Sequence, residues 1–94
     1  MPFILVRHKV EDYAKWKTAF DEHGAMRKAG GSEGGRLFRS ATDPNELVIL
    51  LEWNSFEEAR EFAQSEDLKN AMQRAGVCDT PDVYFLDELD QPTS

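Results

Sequence analysis

The stretch that decides the fold is Leu47-Val48-Ile49-Leu50-Leu51-Glu52-Trp53, which Asn54-Ser55-Phe56-Glu57-Glu58-Ala59 follows directly. Successive side chains of a strand point to opposite faces, so Leu47, Ile49, Leu51 and Trp53 share one face, and Val48 and Leu50 share the other. Because a strand that is apolar on both sides has to be covered on both sides, the run predicts a central strand of a small sheet. The sequence has too few helices to cover both faces, and we therefore expect a second copy of the chain to cover one of them.

Size and charge restrict what the chain can bind. Its 94 residues are enough for one domain, which we place at residues 1–89, with a flexible tail at 90–94. The 11 basic and 18 acidic side chains give a net charge of −7, which argues against nucleic acid and anionic membranes as partners. The single cysteine, Cys78, can form neither an internal disulfide nor a zinc site. We therefore expect a cytoplasmic protein with no bound metal.

Hydrophobic periodicity predicts four strands, at residues 3–9, 36–41, 47–53 and 83–89. A first helix is predicted from the cap residue Asp12 to about residue 29, with an apolar stripe at Tyr13, Trp16, Phe20 and then His23 or Met26. Arg27 is one of the charged residues that we expect in solvent. A capping box at residues 55–58 predicts the start of the next helix, and Ser65 can start another that ends at Gly76. The glycine-rich residues 30–35 are predicted to form a mobile loop.

The order strand, helix, strand, strand, helix, strand predicts an α+β chain of the ferredoxin-like βαββαβ type. We expect a four-stranded antiparallel sheet in which the first and third strands are parallel neighbours and the helices cover one face. The helix-free face is predicted to pack on the same face of a second chain, which gives a dimeric α/β barrel.

In that arrangement the first and third strands end at the same edge of the sheet. This edge would bring together Arg7 or His8, Trp53, Arg36 and Tyr84, and these residues would suit a planar or anionic small molecule between the two sheets. Neighbouring residues of a strand face opposite ways, so only one of Arg7 and His8 should face that cavity. Each of these residues also has a possible structural role. The arginines can form salt bridges, Trp53 can fill the core or the interface, and Tyr84 can pack against its neighbours.

The segment Glu52-Trp53-Asn54-Ser55, which runs into Phe56-Glu57-Glu58-Ala59 and is followed by Ser65-Glu66-Asp67-Leu68, resembles the dimeric α/β-barrel superfamily. The similarity is to its antibiotic biosynthesis monooxygenase-like and cyclase-like proteins and spans residues 3–89. The known activities of this family include cofactor-independent oxygenation of quinol-like aromatics and haem degradation. The resemblance implies a barrel cavity and leaves the reaction unassigned.

The haem-degrading branch of that superfamily carries an Asn on the first strand, a Trp at the end of the third and a His on the following helix. The corresponding residues here are Arg7, Trp53 and Met72. Because the axial histidine is replaced by Met72, the resemblance does not imply haem, and we expect no cofactor.

Three functions remain open at the level of the sequence. The first is a monooxygenase-like or cyclase-like enzyme on an aromatic or polyketide-like substrate, with Trp53 as a stacking surface and Arg7 or His8 beside a phenolate. The second is a non-catalytic ligand-binding or stress-linked accessory dimer, which the lack of an acid/base constellation favours. The third is a tautomerase that uses Pro2 as a base after removal of Met1. His23 lies on the helix stripe. We expect it to be a packed, hydrogen-bonded residue, and a catalytic role is the lesser alternative.

Overall fold

The computed structural model describes residues 2–93, which form four strands and four helices. In chain order these are β1 (Pro2–Lys9), α1 (Tyr13–Glu22), α2 (Gly24–Gly30), β2 (Ser32–Arg39), β3 (Glu46–Trp53), α3 (Phe56–Ala63), α4 (Glu66–Arg74) and β4 (Asp82–Asp87). The predicted α+β class, with one four-stranded antiparallel sheet, is confirmed. None of the helices in residues 2–93 is long and apolar enough to cross a bilayer.

The strands lie in the order β2-β3-β1-β4, and every neighbouring pair is antiparallel. The prediction that the first and third strands are parallel is wrong, since Phe3 pairs with Glu52 and His8 pairs with Leu47. The helices after β1 return the chain, so that β2 runs in the same direction as β1. The hairpin that follows then reverses the direction in β3. The start of β3 therefore lies beside the end of β1.

The predicted alternation along β3 is confirmed. Leu47, Ile49, Leu51 and Trp53 are buried against the helices, whereas the residues between them are partly exposed. The core that they form is completed by residues of β1, the segment after it and the helices, namely Ile4, Val10, Trp16, Ala59 and Ala75. The opposite face of the sheet carries no helix.

The helices begin at the predicted caps. The Asp12 carboxylate accepts a hydrogen bond from the Ala14 N–H at 2.9 Å, and the Ser65 hydroxyl accepts one from the Leu68 N–H at 3.1 Å. The Ser55 hydroxyl accepts from the Glu58 N–H and donates to the Glu58 carboxylate. These bonds satisfy backbone donors that the first turn of a helix leaves free.

The predicted first helix is broken at His23 into α1 and α2, and Gly24 is the first residue of α2. Gly31, with a φ of 115°, ends α2 in the left-handed region that glycine tolerates. The predicted mobile loop is wrong for residues 32–35, because β2 already begins at Ser32. Gly35 is required in this strand, since a Cβ atom there would overlap the Leu50 carbonyl oxygen.

The last strand is an edge strand, and all six of its residues are exposed. It ends at Asp87, two residues before the predicted end, and Leu89 is 94% exposed. Residues 88–93 form neither helix nor strand. The flexibility expected of the tail stays a prediction.

Candidate functional site

The antiparallel pairing separates the residues that were predicted to meet at one edge. His8 pairs with Leu47 at the start of β3, whereas Trp53 lies at the other end of β3, opposite Ser32. The predicted common edge is therefore wrong. It depended on β1 and β3 running in the same direction.

Arg36 and Tyr84 lie on the helix-free face, in one row across the sheet. Arg36 is opposite Leu50, Leu50 is opposite Leu5, and Leu5 is opposite Tyr84. Directly opposite residues share a face, so this row lies on the side away from the buried Ile49. Two strands separate Arg36 from Tyr84, and the two side chains do not form a common site within one chain.

Arg7 also lies on the helix-free side and forms an ion-pair network. Its guanidinium donates to the Asp82 carboxylate at 2.7 Å and to the Asp79 carboxylate at 3.2 Å, and it lies 3.4 Å from the carboxylate of Glu46. The Lys9 N–H and then the Arg7 guanidinium hold the pKa of Asp79 below its usual value. These contacts tie the segment before β4 to β1, which is the structural role that the sequence left open for Arg7.

Trp53 is completely buried and belongs to the core. Its ring packs against Phe62 with centroids 4.8 Å apart, and a Cβ atom at Gly30 would lie 3.7 Å from it. Trp53 does not line the cavity between the sheet and the helices described below. Its predicted role as a stacking surface for a ligand has no contact to support it.

A cavity of about 70 Å³ lies between the buried face of the sheet and the helices. A second hollow, of about 450 Å³, lies on the helix-free face beside Arg36 and Leu50. The chamber expected between two chains stays a prediction.

The walls of the cavity between the sheet and the helices are mostly apolar side chains from β1, β3 and the helices, and the three polar residues are His8, His23 and Arg27. The apolar lining residues are Val6, Trp16, Ala19, Phe20, Ile49, Leu51, Phe62, Leu68, Ala71, Met72 and Ala75. Both second-tier candidates, His23 and Met72, thus lie at the cavity together with His8.

The two histidines of the chain are both buried at this cavity, with 3% of His8 and 8% of His23 exposed. Within residues 2–93, neither Nδ1 of His8 nor Nε2 of His23 has a hydrogen-bond partner. Burial lowers the pKa of both imidazoles, and the positive charge of Arg27 lowers the pKa of His23 further. Both rings are therefore neutral at pH 7, and a neutral imidazole can accept a proton.

Arg27 is the residue at the cavity that sequence reasoning missed. Its guanidinium carbon lies 3.6 Å from the centroid of the Phe20 ring, and Nη1 donates to the Phe20 carbonyl oxygen at 2.8 Å. Phe20 in turn stacks on Trp16 with ring centroids 4.8 Å apart. Burial lowers the pKa of Arg27, although a guanidinium stays charged at neutral pH.

The site thus offers an apolar chamber, two neutral bases and one cation. No group of three or more metal-ligating side chains occurs within residues 2–93. An apolar cavity with a few convergent polar groups is the usual form of a small-molecule site. This one can hold an apolar ring and accept a proton from it.

No protein-family model matches the chain, and no curated protein matches its sequence. Solved structures do match. A candidate antibiotic biosynthesis monooxygenase from Bordetella bronchiseptica superposes with a TM-score of 0.79 and 16% identity, over 94% of this chain and 96% of that one. One from Caulobacter crescentus gives a TM-score of 0.74 and 20% identity, over 95% and 90% of the two chains.

A third similar structure is SnoaB, a cofactor-independent oxygenase from Streptomyces nogalater. It superposes with a TM-score of 0.78 and 14% identity, over 99% of this chain and 97% of SnoaB. Identities this low establish the fold and not the reaction. The chain therefore has the ferredoxin-like fold of the antibiotic biosynthesis monooxygenase-like proteins, as the resemblance in its sequence predicted.

Proposed function

We propose that the chain is a cofactor-independent, monooxygenase-like enzyme that oxidises a hydroxylated aromatic molecule in the cavity between its sheet and its helices. The observation that carries the proposal is the neutral, buried imidazole of His8, whose Nδ1 has no partner within residues 2–93. The similarity in fold to SnoaB, which is described as a cofactor-independent oxygenase, supports the same reaction class.

The proposed reaction needs no electrons from outside the substrate. A base removes the phenolic proton, and the resulting phenolate carbanion reacts with O₂ at a ring carbon that carries hydrogen. The O–O bond then breaks, one oxygen atom stays as the new carbonyl, and the other leaves as water with the two hydrogens that the substrate loses. The hydroxyarene becomes a quinone, and its four electrons reduce O₂ completely.

Of the two imidazoles, His8 is the better candidate for the base. Accepting a proton makes the ring a cation, and the nearby charge of Arg27 disfavours that on His23. Asp67 opposes this effect of Arg27 more weakly. Burial also lowers the pKa of His8 below 6.5, but there the charge of Asp79, which favours the protonated ring, outweighs the opposing charge of Arg7. A base with a pKa slightly below the working pH is neutral when substrate arrives and still attracts the proton. His23 then supplies a hydrogen bond to the bound molecule.

The proposed enzyme is a homodimer. On the helix-free face, three large side chains are exposed: Tyr84 to 55%, Phe38 to 49% and Leu86 to 38%. Apolar Leu5 and Leu50 lie in the same row as Tyr84. Monomers rarely leave such a patch in water, and a second copy of the same face is the simplest cover. The cavity lies within one chain, so the partner would stabilise it without lining it.

The experiment is an oxygen-electrode assay with phenol, 1,4-hydroquinone and 1-naphthol, together with ¹⁸O₂ labelling of the product. We expect phenol to consume one O₂ per quinone and one labelled oxygen atom to enter the product, whereas 1-naphthol, whose two fused rings exceed the cavity, should react more slowly. His8→Phe should lower kcat/KM by about 10²–10⁴-fold, the usual contribution of a general base. His23→Phe, the matched control, should lower it less.

Binding of these compounds without any oxygen uptake would contradict the proposal and favour the non-catalytic ligand-binding dimer. The tautomerase alternative requires a free Pro2 amine, and Met1 lies outside the described residues. Pro2 begins β1 and does not line the cavity. An intact mass that includes Met1 would exclude that alternative.

A further inference from the structure

We infer that the natural ligand of the cavity is a single-ring aromatic anion of the benzoate class, whose carboxylate Arg27 binds. This inference rests on the proposed function only for the location of the site. It concerns the charge and size of the ligand, and it holds whether or not the ligand is oxidised.

The first argument is the free hydrogen-bonding capacity of Arg27. A guanidinium has five N–H donors. Within residues 2–93, one bond from Nη1 to the Phe20 carbonyl oxygen is the only side-chain bond that Arg27 forms, and no carboxylate pairs with it. The guanidinium of Arg7, by contrast, forms ion pairs with three carboxylates. Arg27 therefore keeps Nε and Nη2 available for an incoming acceptor.

The second argument is electrostatic. Arg27 is partly buried at a cavity that no acidic side chain lines, and burial lowers its pKa. The charge of Asp21 raises the pKa of Arg27, but Asp21 forms its ion pair with Lys17 and not with Arg27. A partly buried cation that has no counter-ion stabilises an anion that enters the cavity more than a neutral molecule of the same shape. This local charge is the reverse of the net charge of the chain, −7.

The third argument is geometric. The guanidinium is held against the Phe20 ring, which itself lines the cavity, so the plane of the fork is fixed next to the apolar chamber. A Cβ atom at Gly24 would lie 3.4 Å from Nη2, and the absence of a side chain there keeps space beside that donor. A planar carboxylate can approach a fork of this kind with both oxygens.

The size of the cavity limits the ligand to one ring. An engineered protein cavity that binds benzene measures about 150 Å³. The present cavity of about 70 Å³ accepts one ring once Met72, a flexible side chain in its wall, turns aside. A fused multi-ring polyketide would need displacement of the strands or helices themselves.

The test is calorimetric titration of the whole chain with benzoate and with benzamide, which has the same shape and no charge. We expect benzoate to bind about tenfold more tightly than benzamide, the value of one charge-assisted hydrogen bond. Arg27→Gln should remove this preference and leave benzamide binding unchanged. Lys28→Gln, which removes the same charge from the next residue, exposed and away from the cavity, should keep it.

Equal affinity of the unmodified chain for the two probes would overturn the inference, as would failure of both probes to bind at millimolar concentration. An equal loss for both probes in Arg27→Gln would also overturn it, because Arg27 would then act only as a clamp on α1. Benzoate has no hydroxyl group, so its binding does not depend on the proposed oxygenation. A preference for benzoate without oxygen uptake by any hydroxyarene would keep this inference and remove the proposed reaction.

Discussion

Trp53 packs on Phe62 with ring centroids 4.8 Å apart, and this contact places Phe62 between the tryptophan and the cavity whose wall Phe62 helps to form. The ring of Trp53 is completely buried. A role for Trp53 in ligand binding would therefore be indirect, through the position of Phe62.

Replacement of Trp53 should reduce stability more than binding. Trp53→Ala should lower the free energy of unfolding by about 3–5 kcal/mol, the usual cost of removing a large buried aromatic ring. Trp53→Phe should cost less and should leave benzoate affinity within twofold of the unmodified chain. Urea unfolding and calorimetry measure the two quantities. Loss of benzoate binding in a fully folded Trp53→Phe variant would place the tryptophan in the site after all.

The stability of the protein should fall as the pH drops below about 6.5, the ordinary pKa of histidine. His8 and His23 both have lowered pKa values in the folded state, so the unfolded chain binds protons first. Their contribution is fully present above the unfolded pKa and is lost as the pH falls towards the folded pKa. Urea unfolding between pH 7.5 and 5 should show this loss, and His8→Phe with His23→Phe should flatten it.

The lowered pKa values of His8 and His23 also predict how the rate of the proposed reaction depends on pH. The base must be neutral, so kcat/KM should rise with pH, with a midpoint below the ordinary histidine value of about 6.5. Titration of the imidazole C–H signals by NMR assigns each pKa directly. A pKa above 6.5 for both rings would contradict the expected lowering of the two pKa values and, with it, this pH profile.

The network of Arg7 should contribute to stability at neutral pH and lose that contribution in acid. Asp79 has a pKa below its usual 3.8 in the folded state. Its contribution to the free energy of unfolding is therefore present above pH 3.8 and disappears as the pH falls towards the lower folded pKa. Arg7→Met should weaken this acid sensitivity and keep part of it, because the Lys9 N–H still lowers the pKa of Asp79. Acid titration followed by circular dichroism measures the change. An unaltered acid midpoint would show that the ion pairs are not coupled to folding.

Leu50→Asp should separate the proposed dimer without unfolding the chain, since Leu50 faces the helix-free side and is only partly buried. Ile49→Asp is the matched control on the neighbouring residue. It should unfold the chain, because Ile49 lies in the core with 3% of its surface exposed. Sedimentation at micromolar concentration should give twice the 10.7 kDa chain mass for the unmodified protein and the single mass for Leu50→Asp. A 10.7 kDa species for both proteins would refute the dimer.

The central strand and the helix starts could be predicted because local chemistry decides them. The alternation from Leu47 to Trp53 survives in the structure, and so do the caps at Asp12, Ser55 and Ser65. The direction of β3 relative to β1 could not be read from any one segment. It follows from the path of the chain through two helices and a hairpin.

That one error of direction misplaced most of the predicted site. With antiparallel strands, His8 faces the cavity whereas Trp53, Arg36 and Tyr84 lie elsewhere. Arg27 was missed for a different reason. Arg27 follows Phe20 by seven residues, and its N–H donates to the His23 carbonyl oxygen, so it continues the stripe of α1 across the break at His23; its charge alone led to the expectation that it lies in solvent. Gly24, a poor helix residue, was the signal that could have indicated the break.

Trp16 lies in the wall of the cavity, whereas Trp53 lies behind Phe62. Only the fluorescence of Trp16 should therefore respond directly to a bound ligand. The chain contains no third tryptophan. A Trp53→Phe background would leave Trp16 as the sole tryptophan that fluoresces, stacked on Phe20 and 5.9 Å from the His8 ring. Binding of a ligand, protonation of His8 and displacement of Phe20 would each alter the emission of Trp16. Intrinsic fluorescence could therefore report ligand binding in the cavity without a label.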